Sequence, residues 1–271
     1  MKKKIGIIGC GNMGEAILAQ SVKRKAQNFI IFEKDKLKQA LVCRIYRVKA
    51  AIDITDLLYK SDIIIIAVKP QDIDAVLGHI QKGIKICKKR KILIISIAAG
   101  VKTEYIERRI AGDIKLIRAM PNLPATIGEG ITALVKGRFA SNNDLKIAIS
   151  IFGAFGETVV IQKEALIDVV TALSGSGPAY LFFIVSVMLA AAEGLGMDRK
   201  SANSLIYHTV IGSADLLKKE KFDAKALIGK VASKGGTTEA ALKVFKERGL
   251  RSIIIDALQA AHKRAKELSK R

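Results

Sequence analysis

A strand that breaks into three spaced glycines and then into a helix constrains this chain more than any other feature. Lys4-Ile5-Gly6-Ile7-Ile8 is a short apolar strand pattern. It runs straight into Gly9-Cys10-Gly11-Asn12-Met13-Gly14, and residues 15–20 continue with helical periodicity. A glycine string of this form is weak by itself, but between a strand and a helix each glycine has a task. Gly9 allows the tight turn, Gly11 lets the backbone approach a pyrophosphate, and Gly14 lets helix and strand pack closely. Asn12 and Met13, at the start of the helix, join the three glycines as candidate dinucleotide contacts.

The next strand pattern, residues 28–32, ends at Glu33, about twenty residues past the glycines, where an acid binds the adenosine ribose diol and favours NAD. Lys34 and Lys36 follow at once and suit a 2′-phosphate equally well, so NADH and NADPH both stay open as the cofactor. Three further runs, residues 63–67, 92–96 and 114–118, are short, Ile-rich and almost without polar alternation, as strands covered on both faces should be. Helical patterns at 73–80 and 102–110 separate them. The alternation predicts an α/β fold, a doubly wound parallel sheet of Rossmann type over residues 1–161. Ligands bind beyond the carboxyl ends of such strands. That places Val68-Lys69-Pro70 and Ala98-Ala99-Gly100 beside the glycine turn as cofactor candidates, with residues 119–122 in the same crevice.

The chain has 271 residues, half of them hydrophobic, with no tryptophan and a formal net charge of +21. That length buries a sizeable core and suits two domains. The basic surface attracts nucleotide phosphates and carboxylates. Its charges are dispersed, the cluster Lys88-Lys-Arg-Lys91 being short, and aromatic residues are few, which argues against a specific nucleic-acid partner. Three scattered cysteines and three scattered histidines offer no metal-ligand spacing. The cysteine usage and the absence of a leader before the first strand predict a cytoplasmic location. The longest apolar stretch, residues 179–192, is short for a bilayer span.

After residues 158–161 strand patterning stops. Residues 165–172, 180–195, 201–219, 223–231, 237–248 and 250–268 read as helices, with breaks at 174–178, 194–196, 222–223 and 249. Residues 162–271 are therefore expected to form an all-helical domain. The helix from 180 is apolar on nearly every side, so water cannot surround it, and a second subunit is its favoured cover. Near the end, Ser233-Lys234-Gly235-Gly236-Thr237-Thr238 precedes an amphipathic helix. A helix start this small and hydroxyl-rich presents unpaired N–H groups to a carboxylate or phosphate.

Taken together these motifs resemble pyrroline-5-carboxylate reductases, over almost the whole chain and in order. The resemblance is carried by Gly9 to Gly14, Ala67-Val-Lys-Pro-Gln71, Arg118-Ala-Met-Pro-Asn122 with Gly128-Glu-Gly130, Thr171-Ala-Leu-Ser-Gly-Ser-Gly-Pro-Ala-Tyr180, and Ser233 through Thr238. It implies a Rossmann domain followed by a helical domain that dimerises and binds substrate, dimers often assembling further. It also implies hydride transfer from NADPH or NADH to the C=N carbon of a cyclic imino acid, giving L-proline. On that pattern Thr238 is the catalytic candidate, its hydroxyl meeting the ring nitrogen. Ser233, Gly235, Gly236 and Thr237 receive the substrate carboxylate, Ser174, Gly175 and Ser176 lie toward the nicotinamide, and Glu164 supports the site. Departures from the usual pattern are Lys234 for proline, Leu123 for threonine, Ile54 for asparagine, and Glu33 itself.

Two rival readings follow from the same residues. One is a related oxidoreductase that acts on another imine or on a hydroxy acid; hydroxy-acid dehydrogenases of similar layout use a catalytic lysine, and Lys163, Lys200 and Lys230 are formal candidates without a matching small-residue motif. The other is a nucleotide-sensing or nucleic-acid-binding protein, which would not need the second anion receptor at residues 233–238.

Overall fold

The structure is a computed structural model that describes residues 3–23, 28–87 and 92–269; the basic cluster at 88–91 lies outside the described residues. The chain begins β1 (Lys4–Ile8), α1 (Asn12–Lys23), β2 (Asn28–Phe32), α2 (Lys36–Tyr46), β3 (Lys49–Ala50), α3 (Ile54–Lys60) and β4 (Ile63–Ile66). It continues through α4 (Ile73–Cys87), β5 (Leu93–Ser96), α5 (Thr103–Ile110), β6 (Lys115–Met120), β7 (Gly130–Lys136), α6 (Asn142–Phe152) and β8 (Gly156–Val160). The strands form one eight-stranded sheet in the order β3-β2-β1-β4-β5-β6-β7-β8. All neighbours are parallel except β6 and β7.

The doubly wound sheet is the one that the alternating pattern predicts, and the reason is visible in β4. Ile63 and Ile65 join Ile5, Ile7 and Ile17 in the core on one face, while Ile64 and Ile66 join Ile8, Leu57 and Leu77 on the other. Every one of these side chains is 1% exposed or less. A strand covered on both faces has no polar period to show, and each fully buried isoleucine contributes about 1.5–3 kcal/mol. Local chemistry sets the helix starts. Asp35 caps α2, its carboxylate accepting from the N–H groups of Leu37 and Lys38. Ser141 and Asp144 form a reciprocal capping box on α6.

Downstream come a 3-10 turn (Glu164–Leu166), α7 (Ile167–Val170), a π turn (Thr171–Gly175), α8 (Gly177–Gly194), α9 (Arg199–Lys219), α10 (Ala224–Val231), α11 (Thr237–Glu247) and α12 (Leu250–Leu268). The chain divides into two compact units, one of Met1–Pro178 with Ala261–Arg271 and one of Ala179–Ala260. The break expected at residues 174–178 is a bend at Ser176, between the π turn and α8. The Ser176 N–H bonds the Thr171 carbonyl at 2.9 Å, five residues back, so the helix widens there and continues. The run Glu164–Gly194 is consequently 31 residues long, and by length and composition alone it suffices to cross a bilayer, unlike the shorter stretch read from sequence. No residue of α8 is buried.

Candidate active site

The glycine turn joins β1 to α1 at the point where β1 lies between β2 and β4, the switch point of the sheet. The Gly9 N–H bonds the Phe32 carbonyl and the Ala67 N–H bonds the Ile8 carbonyl, each at 2.8 Å, so the ends of three strands are tied together. Gly9 has φ +92°, and a Cβ there would stand 2.8 Å from the Ala67 carbonyl oxygen. A Cβ on Gly14 would stand 2.2 Å from the Gly9 carbonyl oxygen. At Gly11 a Cβ would meet nothing within 4 Å. Two glycines therefore close the turn while the middle one opens it, and the opening gives onto a cavity of about 640 Å³.

Of the sequence candidates, Gly9, Gly11, Glu33, Lys34, Val68 and Lys69 line this cavity. Lys38 of α2, with Asp72 and His79 from the stretch that follows Pro70, line it too and were missed. For Asp72 and His79 the signal was present in the sequence: they lie in the 3-10 turn and the first two turns of α4, which follow Val68-Lys69 beyond the end of β4. Asp53, which caps α3 through the Asp56 N–H, also lines the cavity, as does Ile54 beside it, whose side chain is otherwise packed in the core.

Glu33 is held in place. One carboxylate oxygen accepts from the Cys10 N–H at 2.8 Å, the other from the Asp35 N–H at 3.2 Å, and the Glu33 N–H donates to the Gln39 side-chain oxygen at 2.9 Å. The residue is 9% exposed. Burial pushes the Cys10 thiol up to about 12, and the Glu33 charge adds to the rise, so this cysteine is an inert part of the turn. Lys34 is paired with Asp72 at 3.0 Å. The Lys36 Nζ lies 5.2 Å from the Phe32 ring centroid.

The remaining cofactor candidates lie away from the cavity lining. Asn12 opens α1, Met13 packs on the core, and Pro70 begins a 3-10 turn. Ala98 is buried and Ala99 half-buried. Gly100, φ +73°, lies against the end of α12, where a Cβ would be 2.9 Å from the Leu268 carbonyl oxygen. There the Ser269 hydroxyl donates to Asp168 at 2.7 Å. Ser174, Gly175 and Ser176 are in or just after the π turn. The Ser174 hydroxyl donates to the Val170 carbonyl, and a Cβ on Gly175 would approach the Met120 methyl to 3.0 Å.

Glu164 is fully engaged within the first unit. One oxygen accepts from the Thr103 N–H and from Arg118 Nη1, both at 2.8 Å, and the other from the Thr103 hydroxyl at 2.5 Å. It thus caps α5 from sixty-one residues away and neutralises Arg118, which is 2% exposed. In the second unit, Gly235 has φ +74°, the Gly236 N–H bonds the Ser233 carbonyl at 3.0 Å, and a Cβ on Gly236 would collide with the Ser233 side chain. The first intrahelical bond of α11 runs from the Ala240 N–H to the Gly236 carbonyl, which leaves the N–H groups of Thr237, Thr238 and Glu239 at the unpaired start of the helix. The Glu239 carboxylate turns back and takes the Gly235 N–H at 2.6 Å.

Residues 164–268 match the family model for pyrroline-5-carboxylate reductase dimerisation, and residues 4–100 match that for coenzyme F420-dependent NADP oxidoreductases. The chain is 36% identical to the pyrroline-5-carboxylate reductase of Synechocystis sp. over the full length of both. It belongs to the pyrroline-5-carboxylate reductase family. Among solved structures, the pyrroline-5-carboxylate reductase of Coxiella burnetii superposes with a TM-score of 0.91 at 34% identity, covering all of both chains. The pyrroline carboxylate reductase of Plasmodium falciparum, solved with NADP bound, gives 0.87 at 26% identity over 99% of this chain and 98% of that one. The two family models fall on the two parts of the chain described above, the N-terminal sheet with its open glycine turn and the helical part that holds α11.

Proposed function

We infer that the chain reduces 1-pyrroline-5-carboxylate to L-proline, the last step of proline biosynthesis, as an NAD(P)H-dependent oxidoreductase. The observation that carries this is the cradle at Gly11, open between two glycines that admit no side chain, in a chain related to these reductases from end to end. The fit to a dinucleotide is physical: the cradle is shaped for a pyrophosphate beside the N-terminus of α1, and the cavity is of the size that holds a small ligand. Gly9, Gly11 and Gly14 with Val68 and Lys69 would hold it, and the bound nicotinamide supplies a hydride to the imine carbon.

The chain's own residues have modest chemical work. A protonated imine is already activated, so the transfer of a hydride and one proton to the C=N bond balances without a basic histidine. The start of α11 receives the substrate carboxylate through the Thr237 N–H and the Ser233 hydroxyl, Gly235 and Gly236 shaping the turn with their own N–H groups bonded to Glu239 and Ser233, and the Thr238 hydroxyl bonds the ring nitrogen, fixing which face of the ring is presented. Glu164 acts at a distance, holding α5 and β6 in register. Ser174, Gly175 and Ser176 of the π turn, with Ala98, Ala99 and Gly100, line the nicotinamide half. The chain forms a homo-oligomer through its helical region, either a homodimer or an assembly of dimers, and it works in the cytoplasm, where Cys10, Cys43 and Cys87 remain as the free thiols they are here.

The test is oxidation of NADH and NADPH with freshly prepared pyrroline-5-carboxylate, proline being identified as the product. Turnover with hydroxy acids and not with the imine would transfer the assignment to a dehydrogenase. Thr238→Ala is expected to lower kcat/KM roughly ten- to a thousandfold; unchanged kcat and KM would remove Thr238 from the mechanism.

A further inference from the structure

We propose that Glu33 makes this chain selective for NADH over NADPH, by presenting an immobilised carboxylate to the adenosine ribose while the neighbouring cations are committed elsewhere. The proposal rests on the dinucleotide reading above and refines it. The carboxyl end of β2 is where a dinucleotide-binding sheet distinguishes the two cofactors: a carboxylate accepts from the ribose diol, a cation meets the 2′-phosphate. From sequence the two possibilities balance, Glu33 against Lys34 and Lys36. The side-chain arrangement breaks the tie.

Glu33 cannot swing aside for a phosphate without releasing the Cys10 N–H of the glycine turn and the Asp35 N–H that precedes α2. Each carboxylate oxygen has one backbone donor and keeps room for a second, so the pair can accept from two ribose hydroxyls while staying bonded. A 2′-phosphate in the same place would bring a dianion against a carboxylate that pairs with no cation among the described residues. Lys34 has its own partner in Asp72 at 3.0 Å. Lys36 lies over the Phe32 ring and reaches the Ile52 carbonyl at 3.5 Å. Asp35 and Asp53 line the same cavity and deepen its negative side. Two cavity lysines, Lys38 and Lys69, pair with no carboxylate among the described residues. Lys69 follows β4, on the far side of β1 from Glu33, and Lys38 stands in the first turn of α2; both are assigned to the pyrophosphate that the two cofactors share.

Binding, measured without substrate, tests this. Calorimetric titration of the purified protein should give NADH a Kd at least tenfold below that of NADPH. Equal affinities, or tighter NADPH, would overturn the proposal and leave the reductase assignment standing. Binding of neither would remove it together with the dinucleotide reading. Tight NADH binding with no proline formed would instead sink the reductase assignment alone. Glu33→Gln should reduce the NADH preference at least tenfold by removing the charge. Because that variant also loosens the glycine turn, Asp72→Asn provides a second arm: releasing Lys34 should tighten NADPH several-fold with Glu33 intact, and an unchanged ratio would refute the role given to the Lys34–Asp72 pair. Lys38→Ala should weaken both cofactors alike; a loss confined to NADPH would place the 2′-phosphate on Lys38 and overturn the proposal.

Discussion

The sheet unit and the helical unit solve the problem of apolar surface in opposite ways. In the sheet unit the strands β1, β4 and β5 are enclosed by their own helices, and most of their isoleucines are wholly inaccessible. In the unit Ala179–Ala260, the buried side chains are Ala202 and Ile206, both on α9, while Phe182, Phe183, Ile184 and Val187 on α8 are each between 49% and 69% exposed. Apolar surface of that extent on one chain is half of a core. A nucleotide-binding half that is complete in one chain is thus joined to a helical half that is completed by assembly. The first should survive changes in the second, and three experiments press on that difference.

The largest effect is expected on α8. Phe183→Glu with Val187→Glu puts two carboxylates where a partner helix is to be buried. Losing the apolar burial and desolvating unpaired charges costs roughly 5 kcal/mol or more, more than a thousandfold in the association constant. Light scattering should report monomers, and turnover should vanish, while NADH affinity stays within about threefold of the parent. Retained oligomers would show that α8 is covered by something else; lost NADH binding would show that the sheet unit is not independent.

Next in size is Glu164→Ala. Arg118 is almost completely buried, and Glu164 is the carboxylate that neutralises it. Removing one partner of such a pair costs about 3–5 kcal/mol, since a buried charge is left without its counter-ion. A lowered Tm with the KM for the imino acid nearly unchanged identifies Glu164 as a positioning group. A KM raised tenfold or more at unchanged Tm would make it a substrate ligand.

These residues also mark how far the sequence could be read. The strands 63–67 and 92–96 were legible because an unbroken Ile run in so short a segment has no stable place except between two layers of helix. β7 was not, because Gly130-Ile-Thr-Ala-Leu-Val-Lys136 is a mixed pattern and its antiparallel pairing with β6 depends on partners that no local window contains. The Ser141-x-x-Asp144 capping box was legible and would have disclosed α6. Residues 174–178 were legible in part: a bend falls at Ser176 and Pro178 stands in the first turn of α8, where its missing N–H costs nothing, while the π turn before it depends on the Ser176 N–H reaching back to Thr171. The glycine turn and the residue types around it could be read directly. The commitments of Glu33, Lys34 and Glu164 could not, since each is decided by a partner two to sixty-one residues away.

The smallest effect contrasts ion pairs in the two units. Asp144 is 4% exposed. Burial by itself would raise its pKa, but the Ser141 hydroxyl and N–H and the Lys115 ammonium, 3.0 Å away, together hold it below the ordinary 3.8. A carboxyl group whose folded pKa lies under its unfolded one adds stability above the unfolded value and loses it as pH falls through the folded one. Thermal unfolding should therefore show a loss of stability beginning near pH 4 and continuing below it, part of which disappears in Asp144→Asn. The contribution is small, because Lys115 is 35% exposed and solvent screens its charge. In the helical unit Lys230–Glu220 and Lys243–Glu247 span 3.3 and 3.9 Å between side chains that are 41–74% exposed. Glu247→Gln should change Tm by no more than a few tenths of a kcal/mol equivalent at any pH. A larger change there would mean that assembly encloses this pair, and would extend the covered surface of the helical unit from α8 to α11.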